Sequence, residues 1–199
     1  MEQLHISFTV LAFLVVLALA FDFMNGFHDA ANAIATVVST RVLKPHQAVL
    51  LATICNVAAI FIFELKVAAT VGKGTIDPSI IDQYVLFGAL MSAIVWNIIT
   101  WYYGIPSSSS HALIGGLIGA GVAKAGFGSL ISAGVIKTVA FIFISPLVGM
   151  LLGGLMMLLI GWVCRDTTPR KVDNWSRRLQ LVSASAYALG HGGNDAQKT

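Results

Sequence analysis

Five polar side chains recur along one otherwise apolar stretch near the N-terminus: Asp22, Asn25, Asp29, Asn32 and Thr36, spaced 3, 4, 3 and 4 apart. At helical pitch these intervals set all five on one face. A carboxylate inside a membrane-spanning helix costs about 2.5–3.5 kcal/mol on insertion scales, so it is retained where it does chemistry. Asp29 and Asn32, three apart, jointly present carboxylate and amide oxygens to a cation. As glue between helices, an asparagine would serve in place of Asp29 at lower cost. The pattern is also written twice. Gly26-Phe27-His28-Asp29-Ala30 returns as Gly192-Gly193-Asn194-Asp195-Ala196, and aligning Val15–Ala30 with Leu181–Ala196 gives six identities. Two aspartates in matching frames point to a solute-binding site.

A second constellation has the opposite polarity. Pro106 is followed by Ser107, Ser108, Ser109, Ser110 and His111, and leads into a run with Gly115, Gly116, Gly119 and Gly121. Proline before serines is a good helix start. Free backbone N–H groups, hydroxyls and the positive end of the helix dipole make such a start an anion site. Four hydroxyls with no arginine suit a tetrahedral oxyanion that must be released again. A dianion beside two carboxylates is repelled unless cations or protons intervene. The two motifs together therefore predict coupling, with cation binding favouring the anion.

The elements that must position these groups are membrane helices. Of 199 residues, 57% are hydrophobic and 11% charged, and the mean hydropathy is +0.83. A soluble domain carries about 25% charged residues, so the composition describes an all-α polytopic membrane protein. The net charge of +3 is small and the basic residues cluster in loops, which excludes nucleic acid as a partner. Cys55 and Cys164 give neither a disulfide framework nor a metal spacing. Apolar runs cover 5–40, 46–63 with a weaker continuation to Val71, 84–103, 107–123 and 135–164. Glu64 and Lys66, near the end of the second run, snorkel to the interface. The run 107–123 is short enough to cross or re-enter. The last is over-long and holds Ser145-Pro146, which predicts tilt, a kink or two pieces. Residues 1–164 thus form a first repeat of about five membrane segments, 165–178 a charged cytoplasmic linker, and 179–199 the start of a second repeat. Arg41, Lys44, Arg165, Arg170, Lys171, Arg177 and Arg178 fall on one side if 107–123 crosses, which puts the N-terminus outside. If five spans separate the aspartate motifs, the copies enter from opposite sides, the arrangement of inverted-repeat transporters.

These residues also carry a family resemblance. Asp22–Leu43 (DFMNGFHDAANAIATVVSTRVL), Pro106–Gly116 (PSSSSHALIGG) and Gly190–Thr199 (GHGGNDAQKT) resemble the signatures of the bacterial branch of the inorganic phosphate transporter (PiT) family. The resemblance implies an inverted-repeat secondary transporter with broken or half helices, its second repeat incomplete because the chain stops inside the second signature. It implies a cation-coupled symporter, using Na⁺ or H⁺, that imports orthophosphate across a bacterial cytoplasmic (inner) membrane. Phosphate binding is implied for Ser108, Ser109, Ser110 and Asn32. Cation coupling is implied for Asp29, Asn32, Asp195 and Asn194. No cofactor and no metal beyond a bound Na⁺ are expected; the partners are phosphate, the coupling ion, membrane lipid and, as an open option, a second copy of the chain. Phe27 and His28 depart from the more widespread Gly-Ala-Asn-Asp form of the family. The rival reading is an enzyme, an intramembrane aspartyl protease using Asp29 and Asp195. Neither aspartate lies in the Gly-x-Gly-Asp frame such enzymes resemble, and a serine-rich helix start has no use there.

Overall fold

The structure, a computed structural model, describes residues 7–62 and 74–195. The tail of the second apolar run to Val71, with Glu64 and Lys66, lies outside the described residues, as does the second signature beyond Asp195. The described residues form six α-helices: α1 Phe8–Ser39, α2 Pro45–Ile62, α3 Gln83–Tyr102, α4 Ser109–Ala125, α5 Ser132–Cys164 and α6 Pro169–Asp195. Short 3₁₀ turns at Pro78–Ile80 and Phe127–Ser129 flank α3 and α4. Four of the helices, α1, α2, α3 and α5, are long and apolar enough to cross a membrane.

Both of the longest helices are continuous. The helix α1 runs unbroken through Gly26, whose missing side chain leaves open space. A mid-helix glycine costs only about 1 kcal/mol, and the strongly apolar turns on either side outweigh it. Pro146 likewise sits inside one continuous α5 of 33 residues. That helix buries none of its residues against the rest of the described chain.

The short helix α4 belongs to a hairpin. Along α1, α3 runs parallel: Phe13 meets Phe87 at 6.0 Å between ring centroids and Phe27 meets Trp101 at 5.7 Å. Between those contacts Phe21, fully buried, packs with Leu90, Ala93 and Leu113. Beyond the level of Phe27, α1 continues for roughly 18 Å at 1.5 Å per residue, so the turn between α3 and α4 stops well short of the end of α1. The base of the hairpin is stitched. Asp82 caps α3 by accepting from the Tyr84 and Val85 backbone N–H groups. Lys124, in the last turn of α4, pairs with Asp82 at 2.7 Å and donates to the Ile80 carbonyl at 2.8 Å. Close packing of the two arms requires Gly116, where a Cβ would lie 2.4 Å from Ser92 Oγ and 2.6 Å from the Ala89 carbonyl oxygen.

Both arms of the hairpin therefore start and finish at one end of the bundle. Because the hairpin contributes two segments, it leaves the alternation of the remaining helices unchanged. The sequence-based orientation had rested on 107–123 crossing as an independent span, and that condition falls away. The two basic segments do approach each other: Thr40 Oγ1 donates to Gln180 Oε1 at 3.0 Å, which brings the Arg41–Lys44 turn beside α6 just past Arg177 and Arg178.

Candidate functional site

The site forms where α6 crosses α1 in the antiparallel sense. At one end Thr40 meets Gln180, next Val37 packs with Ala184 and Ala48, and farther along Asn25 Nδ2 donates to Asp195 Oδ2 at 3.1 Å. Small residues let the helices approach. At Gly192 a Cβ would fall 2.6 Å from the Asn56 Cα, so α2 and α6 touch backbone to backbone. Between α1, α2 and α6 lies a cavity of about 500 Å³, lined by Asp22, Asn25, Asp29, Asn56, His191 and Asp195 among others. The apolar cluster of Val37, Ala48 and Ala184, with Ile34 and Val38 against it, lies along α1 between this cavity and Arg41.

Asp29 and Asp195, far apart in sequence, thus meet. Asp29 Oδ1 accepts from Asn32 Nδ2 at 3.4 Å and its Oδ2 lies 3.4 Å from Ser109 Oγ. Ser109 also donates to Asn25 Oδ1 through a short hydrogen bond. Asp195 Oδ2 pairs with His191 Nε2 at 3.2 Å, and the His191 ring stacks on Tyr187. One ligand atom each from Asp29, His191 and Asp195 lie within 4.8 Å of one another. Two oxygens on opposite sides of a hard cation at about 2.4 Å each are separated by about that distance. A positive charge between the carboxylates also relieves their mutual repulsion.

The hairpin tip delivers the serines, and it divides them. Ser109, 2% exposed, is the one that reaches Asn25 and Asp29. Ser108 is the N-cap of α4, its Oγ accepting from the His111 N–H at 3.4 Å. Ser107 accepts from Trp96 Nε1 at 3.0 Å, which pins the turn. Ser108 and His111 instead line a second cavity of about 560 Å³ between α3 and α4. Ser110 is half-buried beside Ser109. Asn32 is exposed but bonded to Asp29, and Asn194 is exposed next to Asp195.

Two residues of this site, His191 and Asn56, were not singled out from sequence, and a third was read for less than the structure shows. His191 stands in the second motif where Asn25 stands in the first, one turn ahead of the aspartate, and the alignment of the two copies carried that signal. Asn25 was seen as a member of the stripe but not as the link between both aspartates and Ser109. Asn56 had no signal: its Oδ1 is buried with no hydrogen-bond partner, a consequence of α2 packing that no local pattern encodes.

Antiparallel helices with paired carboxylates at their crossing, a polar hairpin tip and four membrane-length apolar helices define an integral, multi-pass membrane protein of transporter type. Residues 25–171 match the model of the phosphate transporter family, PHO4, and the chain belongs to that family. It is 56% identical over 194 residues to the "Probable low-affinity inorganic phosphate transporter" of Rhizobium meliloti (strain 1021), covering 98% of this chain and 58% of that one. A protein of the same description from Streptomyces halstedii is 44% identical, with 92% of this chain and 86% of that one covered. The "Low-affinity inorganic phosphate transporter PitB" of Escherichia coli (strain K12) is 36% identical, over 93% and 44% of the two chains. This chain therefore spans 58% of the length of the Rhizobium relative and less than half of the Escherichia one. Among solved structures, "The sodium-dependent phosphate transporter" shares the fold with a TM-score of 0.76 at 22% identity, covering 96% of this chain and 56% of that one. The family consists of transporters, not enzymes, and the protease reading finds no support in it.

Proposed function

We propose that this chain forms the first half, and the start of the second, of a cation-coupled importer of inorganic phosphate in a bacterial cytoplasmic membrane. One observation carries the reading: the hairpin-tip hydroxyl of Ser109 and the carboxylates of Asp29 and Asp195 converge from three different helices on one polar layer. Hydroxyl donors suit a tetrahedral oxyanion and carboxylates suit a cation, so each guest offsets the repulsion the other would meet. The antiparallel crossing of α1 and α6 at equivalent motif positions supports an inverted repeat, with the site at its pseudo-symmetry centre. On this reading α1 runs outside to inside, the hairpin enters from outside, and the basic segments Arg41–Lys44 and Arg165–Arg178 are cytoplasmic.

The coupling ion is Na⁺ or H⁺, held by Asp29 and Asp195 with Asn25 and His191 beside them. Asn32 reaches this group through Asp29, and Asn194 flanks it. Ser108 and Ser110 serve the anion less directly than Ser109. The deciding experiment is labelled phosphate uptake into vesicles containing the protein at full family length, under imposed Na⁺ or H⁺ gradients. Uptake that accelerates with one gradient and collapses when it is dissipated identifies the coupling ion. Equal flux with and without either gradient would leave a passive channel instead.

A further inference from the structure

Asn97 on α3 is 1% exposed, and its Nδ2 has no hydrogen-bond partner. Its place in the core is fixed by the cluster of Phe21, Ala93 and Leu113. Asn25 lies four residues after Phe21, and Asn97 four after Ala93. Ser109 lies four before Leu113 on the helix that runs the other way. Each is one helical turn from the same apolar cluster, on the same face of its own helix and toward the hairpin tip. Asn25, Asn97 and Ser109 therefore form one buried polar layer, with 4%, 1% and 2% exposure.

The hydrogen-bond accounting of that layer does not close around an anion without Asn97. Ser109 has one proton, and it goes to Asn25 Oδ1. One of the two Asn25 amide N–H groups is committed to Asp195, and neither can serve the Oδ1 of its own amide. Resting on the phosphate-import reading above, an arriving phosphate oxygen would draw the Ser109 proton away and leave Asn25 Oδ1 a buried acceptor with no donor. We propose that Asn97 is the reserve donor of the anion site: its amide N–H replaces the Ser109 hydroxyl on Asn25 Oδ1 when that hydroxyl turns to phosphate. Asn97 is thus a positioning residue, acting through Asn25 and Ser109. Leaving one buried acceptor orphaned corresponds to about a 5- to 150-fold loss of affinity.

The test is phosphate uptake by the full-length protein carrying Asn97→Leu, alone and combined with Ser109→Ala. The leucine is similar in volume and removes an unsatisfied donor, so melting in the absence of phosphate is expected to hold or rise. Half-saturation for phosphate is expected to rise at least fivefold with the maximal rate unchanged. In the Ser109→Ala background, which has no proton to withdraw, Asn97→Leu is expected to add nothing. Asn97→Ala carries the same expectation should the leucine variant fail to fold. An unchanged half-saturation overturns the proposal, as does an equal rise in both backgrounds. A parent that takes up no phosphate overturns the transport reading itself, and this inference with it.

Discussion

Replacing Gly192 by alanine places a methyl group 2.6 Å from the Asn56 Cα, 2.8 Å from its Oδ1 and 2.9 Å from its carbonyl oxygen. Two of those atoms are backbone, so no side-chain rotation makes room. Carbon–carbon contacts settle near 3.5–4.0 Å, so α2 and α6 must part by about 1 Å. Overpacking of this kind costs about 1–3 kcal/mol, a fall of at least about 2 °C in melting temperature at about 2–4 °C per kcal/mol. The functional cost is larger, because the displaced helix carries His191 and Asp195. Misplacing reacting groups by about 1 Å costs on the order of 100-fold in enzymes, and a comparable loss is expected in coupled phosphate uptake. Gly190→Ala is the matched control: a Cβ there meets nothing within 4 Å, and the gain in helix propensity is about 1 kcal/mol. Thermal melting of purified protein and initial rates of uptake report the two effects separately. Gly192→Ala behaving like Gly190→Ala in both would refute the claim that a backbone contact sets the aspartate separation.

Asp29→Asn is expected to abolish gradient-driven uptake while leaving membrane insertion intact, read by uptake beside the yield of folded protein; full coupling in that variant would remove Asp29 from the cation site. Ser109→Ala is expected to raise the phosphate concentration needed for half-maximal uptake. Ser108→Ala, which removes a helix cap, should instead lower stability by about 0.5–1 kcal/mol with a smaller effect on half-saturation; the reverse order would reassign the two serines. At the hairpin base, the Lys124 hydrogen bond, followed by the Val85 N–H, holds the Asp82 carboxyl below its ordinary range. A lowered carboxylate pKa stabilises the fold above the unfolded-state value near 3.9, and that contribution is lost as pH falls through the lowered value. Lys124→Gln should therefore move the acid-side loss of melting temperature to higher pH, and coincident melting curves from pH 3 to 6 would show the pair to be without consequence.

The amphipathic stripe and the serine-rich start were legible because both are local patterns. A spacing of 3 and 4 fixes a face whatever packs against it, and the stripe and the serine-rich start come together where Ser109 approaches Asp29. Length and apolarity likewise marked α1, α3 and α5. What the sequence concealed depends on distant partners. Nothing local in 84–103 marks it as one arm of a hairpin; the Lys124–Asp82 pair, which ties the end of α4 to the start of α3, does. Pro146 left tilt, a kink or two pieces open, and α5 continues through it as one helix. The division of Ser108 from Ser109 turns on the rotation of α4 against α1, which residue types do not set. His191 was obscured because histidine and asparagine look unlike as letters while both can donate to the same carboxylate.

The hydrogen bond from Asn25 to Asp195 joins positions 170 residues apart, and that span orders events during synthesis. Asp195 is translated only after all of α1 through α5, so Asn25 has no opposite number on α6 until the first five helices have been made.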